Sequence, residues 1–400
     1  MIAGKWMGIE PTELMLNALW SDAQTIAPQI IEWRRYFHKY PSISGQEGPT
    51  AQKVLEILTS MGVEALIVPG QNAVVGRIYG IGGGKIAGLR ADMDALPIQE
   101  TSGREYGSTI PGVMHACGHD AHTAILLGVA KLLMKRRDSF CGEARLLFEP
   151  MEETNGGAQP MVDAGHLDGV SAVFALHMQP SLQLGQLWTR AGAMSGSSNE
   201  VHLTISGRSC HGAYPERGVD AIVLAAQVIM AAQTLISRRV SALDSVVLSL
   251  GMINGGSAPN ILAESVTIRG TLRTLNDDTR KRTLMELGRL ANGICQAHGG
   301  RCDVDVIQGY HSVECAPEWV ERLNELAGTI GVEPLVKPTP SLGVDSFGDF
   351  TAVAPGLYYD LGCVTEKDAA QIHTPLFDID ERCLPIGAYL QAGLALRHIG

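Results

Sequence analysis

One short segment of the chain is dense in metal-binding chemistry. From Met114 to His122 the sequence reads MHACGHDAH, which places one thiol, three imidazoles and one carboxylate within nine residues. Thiolate and imidazole are the ligands that borderline cations such as zinc prefer, and carboxylates also suit manganese and cobalt. So many polar side chains in so short a segment rarely serve packing, so the segment predicts a metal site at the start of the helix that follows. Only one or two of the three histidines can point into a single site.

Carboxylates end two strand-like runs on either side of that segment. Asp92 and Asp94 end the run GLRADMD, and Glu152 and Glu153 end the run FEPMEE. Residues i and i+2 of a strand share a face, so one aspartate can bind a metal or accept a hydrogen bond from a ligating histidine. Adjacent carboxylates in an extended segment point to opposite sides. Glu152 and Glu153 can therefore differ in role, one binding a metal and the other acting as general base on an activated water molecule.

Two isolated histidines complete the candidates. His177 ends the apolar run ALHM, and His373 lies in QIHTP near the carboxyl terminus. Taken alone, each is more often a hydrogen-bonded structural residue than a ligand. Their role depends on whether the fold brings them to the MHACGHDAH segment.

Together these motifs resemble the amidohydrolase branch of the di-metal aminoacylase and carboxypeptidase superfamily, which includes hippurate hydrolase, N-acyl-amino-acid amidohydrolases and indole-acetyl-amino-acid hydrolases. The similarity runs in order from about Trp33 to the carboxyl terminus, and the string HACGHDAH is highly specific to that branch. It implies two divalent cations per subunit, manganese or zinc, with cobalt or nickel also compatible. It implies Glu152 as general base and Asp94 as the carboxylate that orients a metal-bound histidine. The metal ligands that it implies are Cys117, His119, Glu153, His177 and His373.

Three later segments carry candidate substrate contacts. The run SCHGAYP resembles the family segment GGHGAxP from His211 onward, where the histidine reaches the active site of the neighbouring subunit and stabilises the oxyanion. The segments GGSAPN and GTLR match two more family segments. They imply that Asn260 contacts the substrate and that Arg273 is a candidate partner of a substrate carboxylate. The alternatives are that Asn260 only forms a turn and that Arg273 is an ordinary surface residue.

The chain departs from the family pattern at three positions. Met151 stands where Pro-Ala-Glu-Glu has alanine, Gly348 where Ser-Glu-Asp-Phe has glutamate, and Glu216 where a histidine follows the proline of GGHGAxP. The change at Gly348 removes a carboxylate close to the expected cleft. Because the ligands are kept while pocket residues differ, hydrolysis is a firmer expectation than the usual acyl-amino-acid substrate.

Hydrophobic patterning indicates how these residues are positioned. Apolar residues recur at helical spacing near the amino terminus and again after MHACGHDAH, and short apolar runs lie between these helices. The predicted helices cover residues 11–40, 50–61 and 121–135, and the predicted strands cover 74–79, 85–89 and 144–148. Strands that alternate with helices favour an α/β fold with a mixed sheet.

The middle of the chain has a different character. Between residues 200 and 308 the predicted order is strand, helix, strand, strand, helix, strand, which is that of a complete ferredoxin-like α+β unit. We therefore predict an insertion at 188–309 within a metal-dependent exopeptidase-like catalytic domain formed by 1–187 and 310–400. The family resemblance implies that the insert is a dimerisation domain, and hence a homodimer or higher homo-oligomer.

Composition narrows the possible partners. The 400-residue chain has a formal net charge of −11, which argues against nucleic acid and against an anionic membrane surface, because both favour a basic patch. We find no secretory signal pattern, no run of about 18 apolar residues and no disulfide-like spacing among the eight cysteines. We therefore expect a cytoplasmic protein that acts on a small molecule with a carboxylate and binds neither nucleic acid nor membrane.

The predicted reaction is hydrolysis of the amide bond of an N-acyl amino acid, or of a similar amide with a free carboxylate. Glu152 takes a proton from the activated water and delivers it to the leaving amine, while His211 stabilises the oxyanion. Three alternatives remain open. A dipeptidase or carboxypeptidase would act on peptides, a hydrolytic deaminase would release ammonia from an amino-substituted aromatic acid, and a metal-dependent binding module would not need the base.

Overall fold

The chain folds into two compact units, each with its own sheet, in the computed structural model. The described residues are 13–154, 156–366 and 369–400. Unit 1 consists of the chain up to Met194, Glu314–Thr339 and Asp349–Gly400, and unit 2 consists of Ser195–Val313 and Pro340–Gly348. The first residues of the predicted 11–40 helix, 11 and 12, lie outside the described residues.

Helices and strands alternate through unit 1 and again through unit 2. The helices are α1 (Glu13–Lys39), α2 (Gly48–Ser60), α3 (His119–Met134), α4 (Ala158–Asp163), α5 (Ala221–Arg239), α6 (Asp277–Ala297), α7 (Pro317–Thr329), α8 (Phe347–Thr351) and α9 (Cys383–Ile399). The strands are β1 (Glu64–Ile67), β2 (Val74–Tyr79), β3 (Ile86–Asp92), β4 (Glu143–Glu149), β5 (Val170–Gln183), β6 (Gln186–Thr189), β7 (Gly192–Ser195), β8 (Ser197–Ser206), β9 (Val246–Gly255), β10 (Ser265–Thr274), β11 (Arg301–Gln308), β12 (Val313–Cys315), β13 (Glu333–Val336) and β14 (Gly356–Val364).

The large sheet of unit 1 is mixed, as predicted. Its strands lie in the order β1-β2-β4-β3-β5-β14-β12-β7, and β6 pairs with both β13 and β14. The neighbours β4, β3, β5 and β14 run parallel to one another. Strands β4 and β14 are buried along their whole length, which explains the consecutive apolar residues LLF in β4 and LYY in β14. The carboxyl ends of these parallel strands meet at one edge of the sheet, where ligands of open α/β folds bind.

Helix α3 begins two residues earlier than predicted, at His119. Its first turn therefore includes His119, Asp120 and His122 of the metal-binding segment. Nearly the whole helix is buried, from His119 to Leu133, so these polar side chains lie within the protein and not on its surface. Buried polar groups require partners, and the position of the helix decides which partners they find.

Unit 2 has the predicted ferredoxin-like topology. Its four strands are antiparallel and lie in the order β11-β8-β10-β9, with α5 and α6 inserted in the order β8-α5-β9-β10-α6-β11. Asn276 caps α6, because its side chain accepts a hydrogen bond of 2.9 Å from Thr279 N. The two helices and the inner face of the sheet share one apolar core.

Helix α5 is the one described helix that is long and apolar enough to cross a membrane, with a mean hydropathy of 1.5. Gln227 and Gln233 interrupt its apolar run, so inspection for an unbroken run of 18 residues passes over it. Its buried side chains recur at helical spacing and pack into the core of unit 2. Core packing therefore explains one face of the helix, since 33% of its apolar window is buried, and apolar side chains such as Met230 remain exposed on the other face.

Both boundaries of the main segment of unit 2, Ser195–Val313, lie a few residues later in the chain than those of the predicted insert 188–309. Trp188 is part of β6, which pairs with β13 and β14 of the large sheet, and the unit boundary follows Met194. Residues 340–348, predicted within the catalytic domain, group with unit 2, because Ser195 bridges to Ser341 and Gly196 N donates to Gly343 O.

Candidate metal centre

The candidate centre lies beside three parallel strands, at the point where helix α3 begins. Strand β3 leads to Asp94, β4 leads to Glu152, β5 passes through His177, and α3 starts at His119. Gly118 precedes the helix with a φ of 93°, and a Cβ on it would lie 2.9 Å from the Cβ of Met178. Only glycine allows this backbone conformation together with so close an approach to β5.

The other four predicted ligands lie around the Cys117 thiol. Cys117 Sγ lies 3.4 Å from His177 Nε2 and 3.3 Å from His373 Nε2. Glu153 Oε1 lies 3.1 Å from His373 Nε2 and 3.9 Å from His119 Nε2. Cys117 forms one group with His119 and His177 and another with Glu153 and His373, and the ligand atoms within each group lie within 4.8 Å of one another. Two groups that share a thiol have the form of a two-metal site.

Hydrogen bonds fix the tautomers of two of these histidines. A carbonyl oxygen only accepts, so His119 Nδ1–H donates to Asp94 O at 2.9 Å and His177 Nδ1–H donates to Met178 O at 2.9 Å. In both rings Nε2 keeps its lone pair and faces the other ligands. This is the arrangement in which a second partner orients a metal-binding imidazole.

Asp94 holds this arrangement in place. Its Oδ2 accepts hydrogen bonds from Ser44 Oγ at 2.6 Å and from Glu153 N at 3.0 Å, and its Oδ1 lies 3.3 Å from His119 Nδ1. Burial would raise the pKa of Asp94, but the hydrogen bonds from His119, Ser44 and Glu153 N lower it. The carboxylate is therefore ionised at neutral pH and sits behind the candidate ligands.

The donor set fits a divalent cation. His119 Nε2 is buried and has no hydrogen-bond partner among the residues that the structure describes. Burial raises the pKa of the Cys117 thiol well above its usual value, because a buried thiolate loses its hydration. A cation beside Cys117 would satisfy the orphaned imidazole nitrogen and stabilise the thiolate together. Zinc and manganese both accept such thiolate, imidazole and carboxylate donors.

The other two histidines of the segment do not join these groups. His122 uses both ring nitrogens, since Nδ1 lies 2.6 Å from Asp92 Oδ1 and Nε2 accepts from Met178 N at 2.9 Å. His115 is buried and its two ring nitrogens have no partner among the described residues. Burial lowers the pKa of His115 to about 4, so that ring is neutral at pH 7. Sequence alone did not distinguish these rings from His119.

Glu152 and Glu153 are presented by a strained turn. The residue before them, Met151, has a φ of 58°, and its carbonyl accepts from Gly156 N at 2.8 Å. His373 has a φ of 61° and its backbone N donates to Ala116 O at 2.7 Å. Left-handed conformations are uncommon for such residues and concentrate at functional sites. Glu152 is 9% exposed, and its carboxylate forms a further group with the His119 ring and the Glu153 carboxylate.

A buried charge network behind α3 was not predicted from the sequence. Arg34 of α1 is fully buried and contacts Asp120 at 2.8 Å, Asp378 at 2.5 Å and Glu381 at 3.4 Å. His38 Nδ1 also lies 2.8 Å from Asp120 Oδ2. The network joins α1 to the first turn of α3. The one sequence signal was the presence of charged residues among the apolar positions of a helix.

Glu100 adds an acid-sensitive contribution to this network. Burial would raise its pKa, but hydrogen bonds with His38, Ser102 and Ser108 N lower it from 4.5 to about 2. A carboxylate with a lowered pKa stabilises the fold above its unfolded pKa, and this contribution is lost as the pH falls from about 4.5 to about 2. We expect Glu100→Gln to lower the urea midpoint at pH 7. Between about pH 4.5 and about pH 2, the urea midpoint of this variant should fall less steeply than that of the parent protein. Parallel pH profiles of variant and parent would contradict this assignment.

The three predicted substrate residues all belong to unit 2. His211 is exposed and bridges to Ile261, and Gly212 N donates to Asn260 O at 2.8 Å, so His211 and Asn260 are neighbours. Arg273 is half-buried on β10 and donates to Leu342 O at 2.9 Å. Part of its hydrogen-bonding capacity is thus already used within the unit.

Two of the departures from the family pattern have a structural setting in unit 2. A Cβ on Gly348 would lie 2.1 Å from His311 O, so no side chain fits there without movement of the backbone. Glu216 is exposed in the turn Pro215–Arg217 and pairs with Arg217 at 3.4 Å. The missing glutamate at 348 therefore coincides with a close approach of two backbone segments.

Known proteins share this sequence across most of its length. The chain is 35% identical over 389 residues to thermostable carboxypeptidase 2 of Saccharolobus solfataricus, covering 96% of this chain and 98% of that protein. It is 41% identical over 289 residues to an N-acyl-L-amino acid amidohydrolase of Geobacillus stearothermophilus, covering 72% of this chain and 78% of that protein. Both relatives are named for the cleavage of amide bonds.

The fold and the family assignment agree with these relatives. The structure matches the Bacillus subtilis YXEP protein, described as a dinuclear metal binding peptidase, with a TM-score of 0.80 and 29% identity over 94% of this chain and 99% of that one. The model of peptidase family M20/M25/M40 matches residues 88–397, a range that includes each candidate ligand and Glu152. With its ligand cluster at the carboxyl edge of the large sheet, the chain belongs to peptidase family M20/M25/M40.

Proposed function

We propose that this protein is a metal-dependent amidohydrolase that cleaves the amide bond of an N-acyl amino acid, or of a similar small amide with a free carboxylate. One observation carries the proposal: five candidate metal-binding side chains cluster around the Cys117 thiol, and two of them, His119 and Glu153, also form a group with the buried carboxylate of Glu152. The five side chains are Cys117, His119, Glu153, His177 and His373. The names of the amidohydrolase and deacetylase relatives support amide hydrolysis as the reaction.

These side chains would hold two divalent cations per subunit, which we propose to be manganese or zinc, with cobalt or nickel as functional substitutes. Such ions supply Lewis acidity toward the amide carbonyl and lower the pKa of a water molecule. The thiol of Cys117 would belong to both ligand groups. Asp94 would keep His119 and Glu153 in position without binding an ion itself, because its oxygens are engaged by Ser44, Glu153 and His119.

Glu152 would carry the protons of the reaction. Its carboxylate follows β4, lies beside the carboxylate of Glu153 and is largely shielded from solvent. We propose that it accepts a proton from the attacking water and then donates that proton to the leaving amine. A binding protein would need no such shuttle, which argues against a purely non-catalytic role.

His211 is proposed to stabilise the oxyanion that forms on the amide carbon, acting on the site of a neighbouring subunit. Ala213 N donates to His211 Nδ1 at 3.1 Å, so Nδ1 is the acceptor and a neutral ring carries its proton on Nε2. That Nε2–H is the donor an oxyanion requires. Asn260, beside it, is proposed to contact the substrate, and Arg273 to attract its carboxylate.

The same proposal includes the domain organisation and the assembly. We propose that unit 2 is a separately folding inserted domain and that it forms a homodimer. It exposes apolar side chains on α5 and β9, among them Met230 and Met252. Such side chains gain by burial against a second copy. We expect light scattering to give twice the monomer mass of 42.7 kDa and Met230→Glu to shift it toward the monomer. A monomeric parent protein at micromolar concentration would overturn this part.

A carboxypeptidase or dipeptidase is the second candidate. The observation that favours it is the 35% identity to thermostable carboxypeptidase 2 over 96% of the chain. Both activities use the same water and base, and they differ in the group on the acyl side of the bond. Because the chain departs from the family pattern at Gly348 and Glu216, the sequence does not decide which acyl group is accepted.

A substrate panel tests the proposal and separates the candidates. Release of free amine is measured with N-acetyl, N-benzoyl and indole-acetyl amino acids and with dipeptides, using protein treated with chelator and resupplied with Mn²⁺ or Zn²⁺. We expect metal-dependent cleavage of the acyl amino acids. Cleavage of peptides alone would favour the second candidate. Release of ammonia from amino-substituted aromatic acids, without amide cleavage, would overturn both.

A further inference from the structure

Three hydrogen bonds lead from Asp92 to His177 through a histidine outside the proposed ligand set. His122 Nδ1 lies 2.6 Å from Asp92 Oδ1, and His122 Nε2 lies 2.9 Å from Met178 N. His177 Nδ1 lies 2.9 Å from Met178 O. Both backbone groups of Met178 are therefore engaged, one by His122 and the other by the candidate ligand next to it.

The partners determine which atom carries each proton. A backbone N–H only donates, so His122 Nε2 is an acceptor and Nδ1–H donates to Asp92. Because Nε2 accepts this hydrogen bond, the ring is in its neutral form. His177 Nδ1–H must donate to the carbonyl of Met178, so His177 Nε2 retains its lone pair and faces Cys117 Sγ at 3.4 Å. The direction of the Met178 backbone thus sets the direction of the ligand atom.

The surroundings hold this chain of hydrogen bonds rigidly. The side chains of Asp92, His122 and Met178 are buried, at 0%, 2% and 0% exposure. Arg90 Nη1 lies 2.7 Å from Asp92 Oδ2, and Thr123 Oγ1 donates to Asp92 O at 2.9 Å. Without water to compete, these bonds lock the end of β3, the first turn of α3 and the middle of β5 together.

We infer that His122 is a positioning residue, which fixes the backbone of Met178 and thereby aims His177 Nε2 at Cys117 and at one of the two cations. The inference deepens the proposed function and rests on it for the ligand role of His177. His122 itself binds no cation, because both of its ring nitrogens are engaged. His122 lies close enough to Asp92 and His119 to form a fourth group of potential ligands, but that group is therefore not a metal site.

Two substitutions separate the two hydrogen bonds of His122. The amide of asparagine reaches the position of Nδ1, so His122→Asn keeps the bond to Asp92 and loses that to Met178. The carbonyl of glutamine reaches the position of Nε2, so His122→Gln keeps an acceptor for Met178 N. His398→Gln is the matched control, because His398 is a buried histidine whose Nε2 lies 2.7 Å from Ser171 Oγ, near the amino-terminal end of β5.

The readouts are metal affinity, measured by equilibrium dialysis with Mn²⁺ or Zn²⁺, and the visible spectrum of the Co²⁺-loaded protein. Loss of an orienting partner typically weakens metal binding about 10- to 100-fold. In His122→Asn we expect this loss of affinity for one of the two ions and a changed thiolate band in the Co²⁺ spectrum. His122→Gln and His398→Gln should each bind two ions as tightly as the parent protein. Thermal unfolding in chelator should be similar for the two His122 variants, because each loses one buried hydrogen bond.

Equal metal affinity in the asparagine and glutamine variants, or loss of an ion from His122→Gln, would overturn the inference. If His122→Asn does not fold, His122→Gln must still keep both ions and the parent spectrum. Failure of the proposed function gives a different result. In that case the parent protein binds two ions but releases no amine, and the metal measurements still decide the role of His122.

Discussion

Glu152→Gln is expected to lower kcat about 10²- to 10⁴-fold, the usual contribution of a general acid–base group. Glutamine has the size of glutamate but cannot accept the proton of the attacking water. Glu152 is 9% exposed, so bulk solvent cannot easily replace it. Initial rates of amine release with the best acyl amino acid measure the effect.

Metal content separates the base from a ligand. We expect Glu152→Gln to retain both ions, whereas Glu153→Gln should lose affinity for one, because Glu153 lies 3.1 Å from His373 Nε2 in a ligand group with Cys117. Glu56→Gln on the exposed face of α2 is a control for the loss of a negative charge. A Glu152→Gln enzyme with the parent kcat would place the base elsewhere.

Arg34→Met is expected to destabilise the protein by about 3–5 kcal/mol, the usual effect of removing one partner of a buried ion pair. The guanidinium is fully buried, and its loss would leave the buried Asp120 carboxylate without its arginine partner, while Asp378 would keep its ion pair with Arg104. The charge of Arg34 holds the pKa of Asp120 far below its usual range against the effect of burial. Urea unfolding measures the change in the free energy of unfolding. The metal-free protein is used so that bound ions do not contribute.

The neighbouring arginine provides a matched control. Arg35 pairs with Glu381 at 2.7 Å, but its side chain is 49% exposed, and exposed ion pairs contribute about 0–1 kcal/mol. We therefore expect Arg35→Met to change the free energy of unfolding by less than about 1 kcal/mol. Equal losses in the two variants would show that burial of the network does not determine its contribution.

The positions of Asp94, Glu153 and His177 along the chain were predictable because each follows an apolar run, whereas Cys117 and His119 were recognised from the motif string. Side chains at the ends of parallel strands share one edge of a sheet, and the sequence marks those ends by a change from apolar to acidic residues. Strand β2 has the predicted bounds, and α3 begins within two residues of its prediction. The motif string added the family, from which the individual ligand roles were taken.

The partner of each histidine was not predictable. His119 and His122 are one turn apart on the same helix and are equally buried. They differ because His122 meets the backbone N–H of Met178, which comes from β5 and lies 56 residues away in the sequence. Which ring keeps a lone pair for a metal is therefore decided by tertiary packing.

Close backbone approaches were equally hidden. Gly348 reads as a simple loss of a carboxylate, yet a Cβ at that position would lie 2.1 Å from the carbonyl of His311. Arg34 reads as a polar residue on a surface helix and is instead fully buried beside Asp120. Local patterns carry no information on contacts made by segments that are distant in the chain.

The most direct test of the central claim is a titration of metal-free protein with Mn²⁺ or Zn²⁺, following amine release from the best acyl amino acid and the number of ions bound. We predict no activity in the metal-free protein and a rise that levels off at two ions per chain. The same titration of Cys117→Ala should bind fewer ions and give little activity, because Cys117 belongs to both ligand groups. Full activity after removal of metal, or activity in Cys117→Ala equal to that of the parent, would contradict a metal-dependent reaction at this site.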